Sequence, residues 1–174
     1  MTKIPRWVDR TFTYEHLTAG EFPFVVERLR GTPARVADKL DGLPSEALTR
    51  RDGESWSLQE HLGHLIDSHA LIEGRLDDYL AGASDLRAAD LANRRTQEAR
   101  HNERDLDELL DTFRRTRGRL VARLDAWDPK LVLATARHPR LGKPMRVVDQ
   151  VFFMAEHDDQ HLTVMTELAR RAGR

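Results

Sequence analysis

The segment HDDQH places His157 and His161 four residues apart, with Asp158 and Asp159 directly after the first of them. On a helix, successive residues turn by about 100°, so two residues four apart point in directions only about 40° apart. Neutral imidazoles are good ligands for borderline divalent cations, and such a pair is half of a metal site. Val151, Met154, Val164, Met165 and Leu168 occupy overlapping angles, which puts the pair at the border of an apolar stripe. The same spacing also suits two polar residues on the wet side of a helix. It is close to the HExxH motif of zinc proteases, but Asp158 stands where that motif has glutamate, and no further part of its signature follows.

A second cluster, EHLGHLIDSH, carries His61, His64 and His69. His64 is in register with Leu65, Leu71 and Ile72 and is expected to face inward, with His61 near the same face. His69, rotated by about 140° from His64, is expected in solvent. If the two segments are neighbouring helices, His64 meets His157 and His161. Three imidazoles from two helices leave a coordination position for water or substrate, as catalytic metal sites do. A core histidine bonded to one carboxylate, beside a surface histidine pair, fits the spacing as well.

The elements that would carry these groups are helical. Residues 1–20 read as an extended lead-in to a single domain spanning 1–174. Phe22, Phe24, Val25, Val26 and Leu29 start a first helix, which Gly31-Thr32-Pro33 interrupts. Thr32 as N-cap and Pro33 at the first helical position restart it through about Leu40. SEALTRRDGE reads as a loop with a turn at Asp52-Gly53. Ser57 and Glu60 have capping-box spacing and open a helix from Leu58 to about Leu80, ended by Ala81-Gly82. Residues 83–100 are polar and partly helical. Leu106, Leu109, Leu110, Phe113, Leu120, Val121, Leu124 and Trp127 mark a third long helix from about Glu103 to Trp127. ARHPRLGKP reads as a loop, and a last helix runs from about Arg146 to Ala172, with Gly173 at its C-cap. No run alternates with period two. The expected fold is all-α, a four-helix bundle with a broken first helix and long loops.

Composition narrows the functional classes. The chain has 28 basic and 29 acidic residues, interspersed, and no Cys. Balanced charge argues against a nucleic-acid partner or an anionic membrane. Without cysteine there is no thiolate ligand, disulfide or cysteine nucleophile. No stretch approaches a membrane span, and a cytoplasmic location is the default expectation.

Several other residues have positions that admit a role at such a site. Glu60 and Asp67 could orient a ligand histidine, though capping and a solvated acid are the simpler roles. Asp158 and Asp159 read as surface acids and Trp56 as a staple on the helix start. His138 and Arg140 fit loop packing better than a pocket mouth, and Asn93 and Arg94 lie in the segment hardest to read. Phe152 and Phe153, on adjacent angles, suggest a further apolar surface and a homodimer.

WSLQEHLGHL together with ARHPRLGKPMRVVDQVFFMAEHDDQHL resembles the DinB/YfiT-like superfamily of bacterial four-helix proteins, over most of the chain from LRGTPARVADKL onward. The resemblance implies an up-down-down-up bundle whose metal site takes one histidine from the second helix and an HxxxH pair from the fourth. By position these are His64, which holds the histidine place in W-S-x-x-E-x-L-x-H, and His157 with His161; His61 falls outside the pattern. Members include thiol S-transferases, a thiol-dependent maleylpyruvate isomerase and unassigned metal-dependent hydrolases. The resemblance therefore implies a divalent ion, zinc or nickel first, a small-molecule substrate and a low-molecular-weight thiol as cosubstrate. A non-catalytic, stress-related bundle that binds a ligand or partner is the alternative.

Overall fold

The computed structural model describes residues 3–172. The first arm of the bundle is α1 (Phe22–Arg30) and α2 (Thr32–Leu40), followed by a short α3 (Ser45–Thr49). The second arm is α4 (Leu58–Asp67) and α5 (His69–Leu80); α6 (Arg94–Glu98) lies in the long connection after it. The third arm is α7 (Leu106–Asp125). A hairpin of β1 (Thr135–His138) and β2 (Lys143–Arg146) leads into the fourth arm, α8 (Val147–Arg171). No helix among the described residues is long and apolar enough to cross a membrane.

Local chemistry explains the boundaries. The Ser57 hydroxyl accepts from the Glu60 amide and the Glu60 carboxylate accepts from the Ser57 amide, so the capping box forms and starts α4. Thr32 does not cap α2. Gly31, in helical conformation, is the residue before the helix, and the Thr32 hydroxyl is turned into the core, where it donates to Asp158 at 2.9 Å. The second arm is not one helix either. The Ser68 hydroxyl and His69 Nδ1 both donate to the Leu65 carbonyl, at 2.9 and 2.8 Å, and this local competition divides the arm at Ser68. Gly82, at φ +66°, ends α5. Ser45–Thr49 is helical where a loop was expected, and α7 starts later than expected because Asp105 caps it by accepting from Glu108 N. The expected C-cap at Gly173 lies outside the described residues.

ARHPRLGKP is likewise not a plain loop. Thr135 pairs with Arg146 and His138 with Lys143 in antiparallel register. Ala136 and His138 face inward, and Ser84–Leu86 adds two backbone hydrogen bonds to the outer side of β1. Four alternating residues beside Pro144 are too few to show as a period of two in the sequence.

The core has two apolar clusters, one containing Leu29, Ile72, Leu120 and Ala155, the other Val36, Leu65, Phe113 and Leu162. A polar layer separates them on all four arms. Thr32 stands between Leu29 and Val36, His69 between Leu65 and Ile72, Arg117 between Phe113 and Leu120, and Asp158 between Ala155 and Leu162. Arg117 donates to both Asp158 carboxylate oxygens and, through Nε, to His69 Nε2 at 3.1 Å. His69 and Asp158 are thus core residues, contrary to the solvated positions expected for them. Helical angle alone does not show that a polar side chain will find a buried partner of opposite charge.

Candidate metal centre

α4 and α8 pack side by side and bring His64, His157 and His161 together. His157 Nε2 lies 3.2 Å from His64 Nε2 and 3.2 Å from His161 Nε2. One ligand nitrogen from each ring falls within 4.8 Å of the other two, and no carboxylate joins the group among the described residues. Nitrogens bound tetrahedrally at the usual zinc–imidazole length are about 3.3 Å apart, so the two 3.2 Å spacings about His157 fit a cation of that size. His161 is buried while His64 and His157 are half-buried, leaving the group within reach of solvent.

The proton on His64 can be placed. Thr96 Oγ1 has one proton and donates it to Asp67 Oδ2 at 3.0 Å. His64 Nδ1, 3.1 Å from the same oxygen, must therefore be the donor to it. His64 is then protonated on Nδ1, and its Nε2 presents a bare lone pair to the other two rings. His101 Nε2, 2.8 Å from Asp67 Oδ2, holds the carboxylate from the other side. This chain from carboxylate through hydroxyl to imidazole is what a metal-binding histidine needs to hold its tautomer.

Burial also keeps the rings neutral. It pushes His64 down to about 3, His61 and His157 to about 4, and His161 well below the usual imidazole range; neighbouring imidazoles lower His61, His64 and His161 too. Neutral rings are the state a ligand set requires, because an imidazole offers a lone pair to a cation only from a nitrogen that carries no proton.

Two tryptophans wall the group. The Trp56 ring is 4.8 Å from that of His64 and stacks over His161 at 6.2 Å, so it does more than staple the helix start. Trp7 sets its ring 5.2 Å from His157 and 4.8 Å from Phe153. The lead-in that carries Trp7 is held to α8 by Arg10, which pairs with Glu156 at 2.5 Å.

The remaining candidate residues serve other roles or lie away from the triad. Glu60 caps α4 and pairs with Arg51 rather than orienting a ligand. Asp67 is a buried-side acceptor for His101, Thr96 and Arg95, not a solvated acid. Asp159 is half-buried and pairs with Arg28 and Arg35. His138 is buried 3.0 Å from Arg75 Nη1, and Arg140 stacks over Trp7 and Phe153, 5.8 and 5.5 Å from their centroids. Asn93 only opens α6 in a left-handed conformation and Arg94 pairs with Asp90; the residue of that segment at the site is Thr96. Phe153 is core, and Phe152 packs on Tyr14 and His16 within the chain. Thr96, His101, Trp7 and His61 were not legible as site residues. None of them shares a helical period with a ligand except His61, which the family pattern passes over.

The DinB superfamily model matches residues 13–165. Among solved structures, YfiT from Bacillus subtilis, described as a probable metal-dependent hydrolase with an unusual four-helix bundle topology, superposes with a TM-score of 0.80 at 21% identity, over 94% of each chain. A Streptococcus pneumoniae protein superposes with a TM-score of 0.63 at 13% identity, covering 93% of this chain and 91% of that one. No curated protein matches the chain. These likenesses fix the fold as the YfiT-type four-helix bundle, and the match over most of its length means that the chain belongs to the DinB superfamily.

Proposed function

We propose that the protein is a divalent-metal-dependent enzyme, a hydrolase or thiol S-transferase acting on a small molecule, with His64, His157 and His161 as the ligands. The observation that carries this reading is the pair of 3.2 Å Nε2–Nε2 spacings with the His64 proton held on the far nitrogen. The description of YfiT supports the hydrolase branch by likeness of fold. Zinc and nickel suit three neutral imidazoles best. A bound ion would lower the pKa of a coordinated water or thiol, giving a nucleophile at neutral pH. The chain's own part is to gather three imidazoles, keep the rings uncharged, and wall them with Trp7 and Trp56.

The test is metal analysis of untagged protein, with zinc titration of the wild type and of His64→Ala. One equivalent in the wild type and none retained in the variant is expected; equal metal content in both would remove His64 from the ligand set. Loaded protein is then assayed with ester substrates and with bacterial thiols plus monochlorobimane. Metal-dependent turnover in either panel assigns the branch. Full occupancy with no turnover in both would favour the non-catalytic binding reading.

A further inference from the structure

His61 lies one turn before His64 and is buried beside the triad without belonging to it. Its Nδ1 is 2.8 Å from Nδ1 of His161. The two rings are inclined at 61° with centroids 5.0 Å apart, and the edge of Trp56 closes on His61 at 5.6 Å. A contact this short between two ring nitrogens holds one proton, belonging to one ring or the other.

The triad decides which. His161 Nε2 faces His157 Nε2 at 3.2 Å and must be bare to serve as a ligand. A neutral imidazole has a single N–H, so that proton is on Nδ1 of His161 and is donated to His61. His61 must then be bare at Nδ1 and protonated at Nε2. Were the tautomers exchanged, His161 would carry its proton on Nε2, aimed into the group where the cation belongs.

We infer that His61 is a positioning residue of the metal centre, an imidazole acceptor that holds His161 in its ligating tautomer and orientation. It is the counterpart, for the α8 ligand, of the Asp67–Thr96 pair that holds His64. Most ligand histidines lean on a carboxylate or a carbonyl. A neutral imidazole in that role orients the ring without adding negative charge, so the cation's own charge is less offset here than beside His64. The inference rests on the metal reading, and its test separates the two.

Zinc affinity is measured by chelator competition for the wild type, His61→Phe and His61→Asn. Phenylalanine keeps the ring and removes the acceptor; asparagine can place an oxygen near the position of Nδ1. Losing such a partner weakens metal affinity by about 10- to 100-fold. A loss in that range is expected for His61→Phe, with most of it recovered in His61→Asn. Circular dichroism and urea denaturation of the metal-free variants show whether the fold is kept. Independently of any variant, ¹⁵N-edited spectra of the zinc-loaded wild type report the tautomers directly: His161 protonated at Nδ1 and His61 at Nε2. Zinc binding by His61→Phe within threefold of wild type, or a proton on His61 Nδ1 in the loaded protein, overturns the role of His61 and leaves the triad standing. A wild type that takes up no zinc or nickel overturns both.

Discussion

Replacing Asp158 by alanine should destabilise the protein as much as truncating a large core side chain, because of what it leaves behind. Asp158 and Arg117 are each 1% exposed and pair directly. The carboxylate also accepts from Thr32 at 2.9 Å, and the guanidinium's other acceptors among the described residues are neutral, His69 Nε2 at 3.1 Å and the Leu29 carbonyl at 3.4 Å. Removing the acid strands a buried cation that cannot shed its proton, a loss of about 3–5 kcal/mol. For a chain of this size about 2–4 °C accompany each kcal/mol, so the melting temperature should fall by about 6–20 °C. Arg117→Met should cost less, since a stranded carboxyl can take up a proton and become neutral. The double variant Asp158→Leu/Arg117→Met removes both charges and keeps most of the volume. It should lie within about 1–2 kcal/mol of wild type and could exceed it. Urea denaturation at pH 7.5 in the presence of chelator gives all four stabilities free of metal linkage. A loss under about 1 kcal/mol for Asp158→Ala, or a double variant less stable than Asp158→Ala, would refute the buried-pair argument.

Two further outcomes follow from the same structure. Burial holds His69 and His138 down to about 4 and His161 well below its ordinary value, while the unfolded chain titrates near 6.5, so between pH 6.5 and about 4 the unfolded state binds protons that the folded state refuses. Stability of the metal-free protein should be level above pH 7 and fall through that window by up to about 1.4 kcal/mol per pH unit for each such histidine, less for the half-buried His64 and His157; a urea midpoint unchanged down to pH 5 would contradict this. Gly63 faces the buried His101 ring, and a Cβ there would fall 2.2 Å from it. Gly63→Ala should therefore lose about 1–3 kcal/mol to overpacking, against a gain of about 1 in helix propensity, and should weaken zinc binding as His101 shifts Asp67 and Thr96; a variant that is more stable than wild type with unchanged affinity would show that the ring relaxes freely.

α8 serves two purposes on neighbouring angles. His157 and His161 look toward α4 and the centre, while Asp158, one residue on, looks inward to Arg117 and Thr32. The ion pair has a donor or acceptor from every arm of the bundle, so sliding α8 by one turn would break the pair and separate the histidines together. A polar layer of this kind costs stability relative to an apolar one but penalises wrong registers. The geometric demand at the centre is tight, a few tenths of an ångström in nitrogen spacing, and a greasy seam of Leu, Val and Met would not by itself resist such a slide.

That division of labour also explains what the sequence made legible. The Ser57–Glu60 capping box, the span of the last helix and the inward angle of His64 are local properties, set by residues within a turn or two, and they read correctly. So did the family pattern that ties WSLQEHLGH to HDDQH. The polar layer did not read: His69 and Asp158 have the angles of half-exposed residues, and only the distant Arg117 makes their burial affordable in physical terms. Thr96 and His101 reach the site from a polar connection with no period, through hydrogen bonds of fixed length to a carboxylate on α4. His61 had the right angle but no second signal, because a histidine that supports another histidine has the same sequence spacing as one that binds a metal. The difference lies in which nitrogen faces which, 2.8 Å through Nδ1 for His61 and 3.2 Å through Nε2 for the triad, and that is fixed only when α4 and α8 dock.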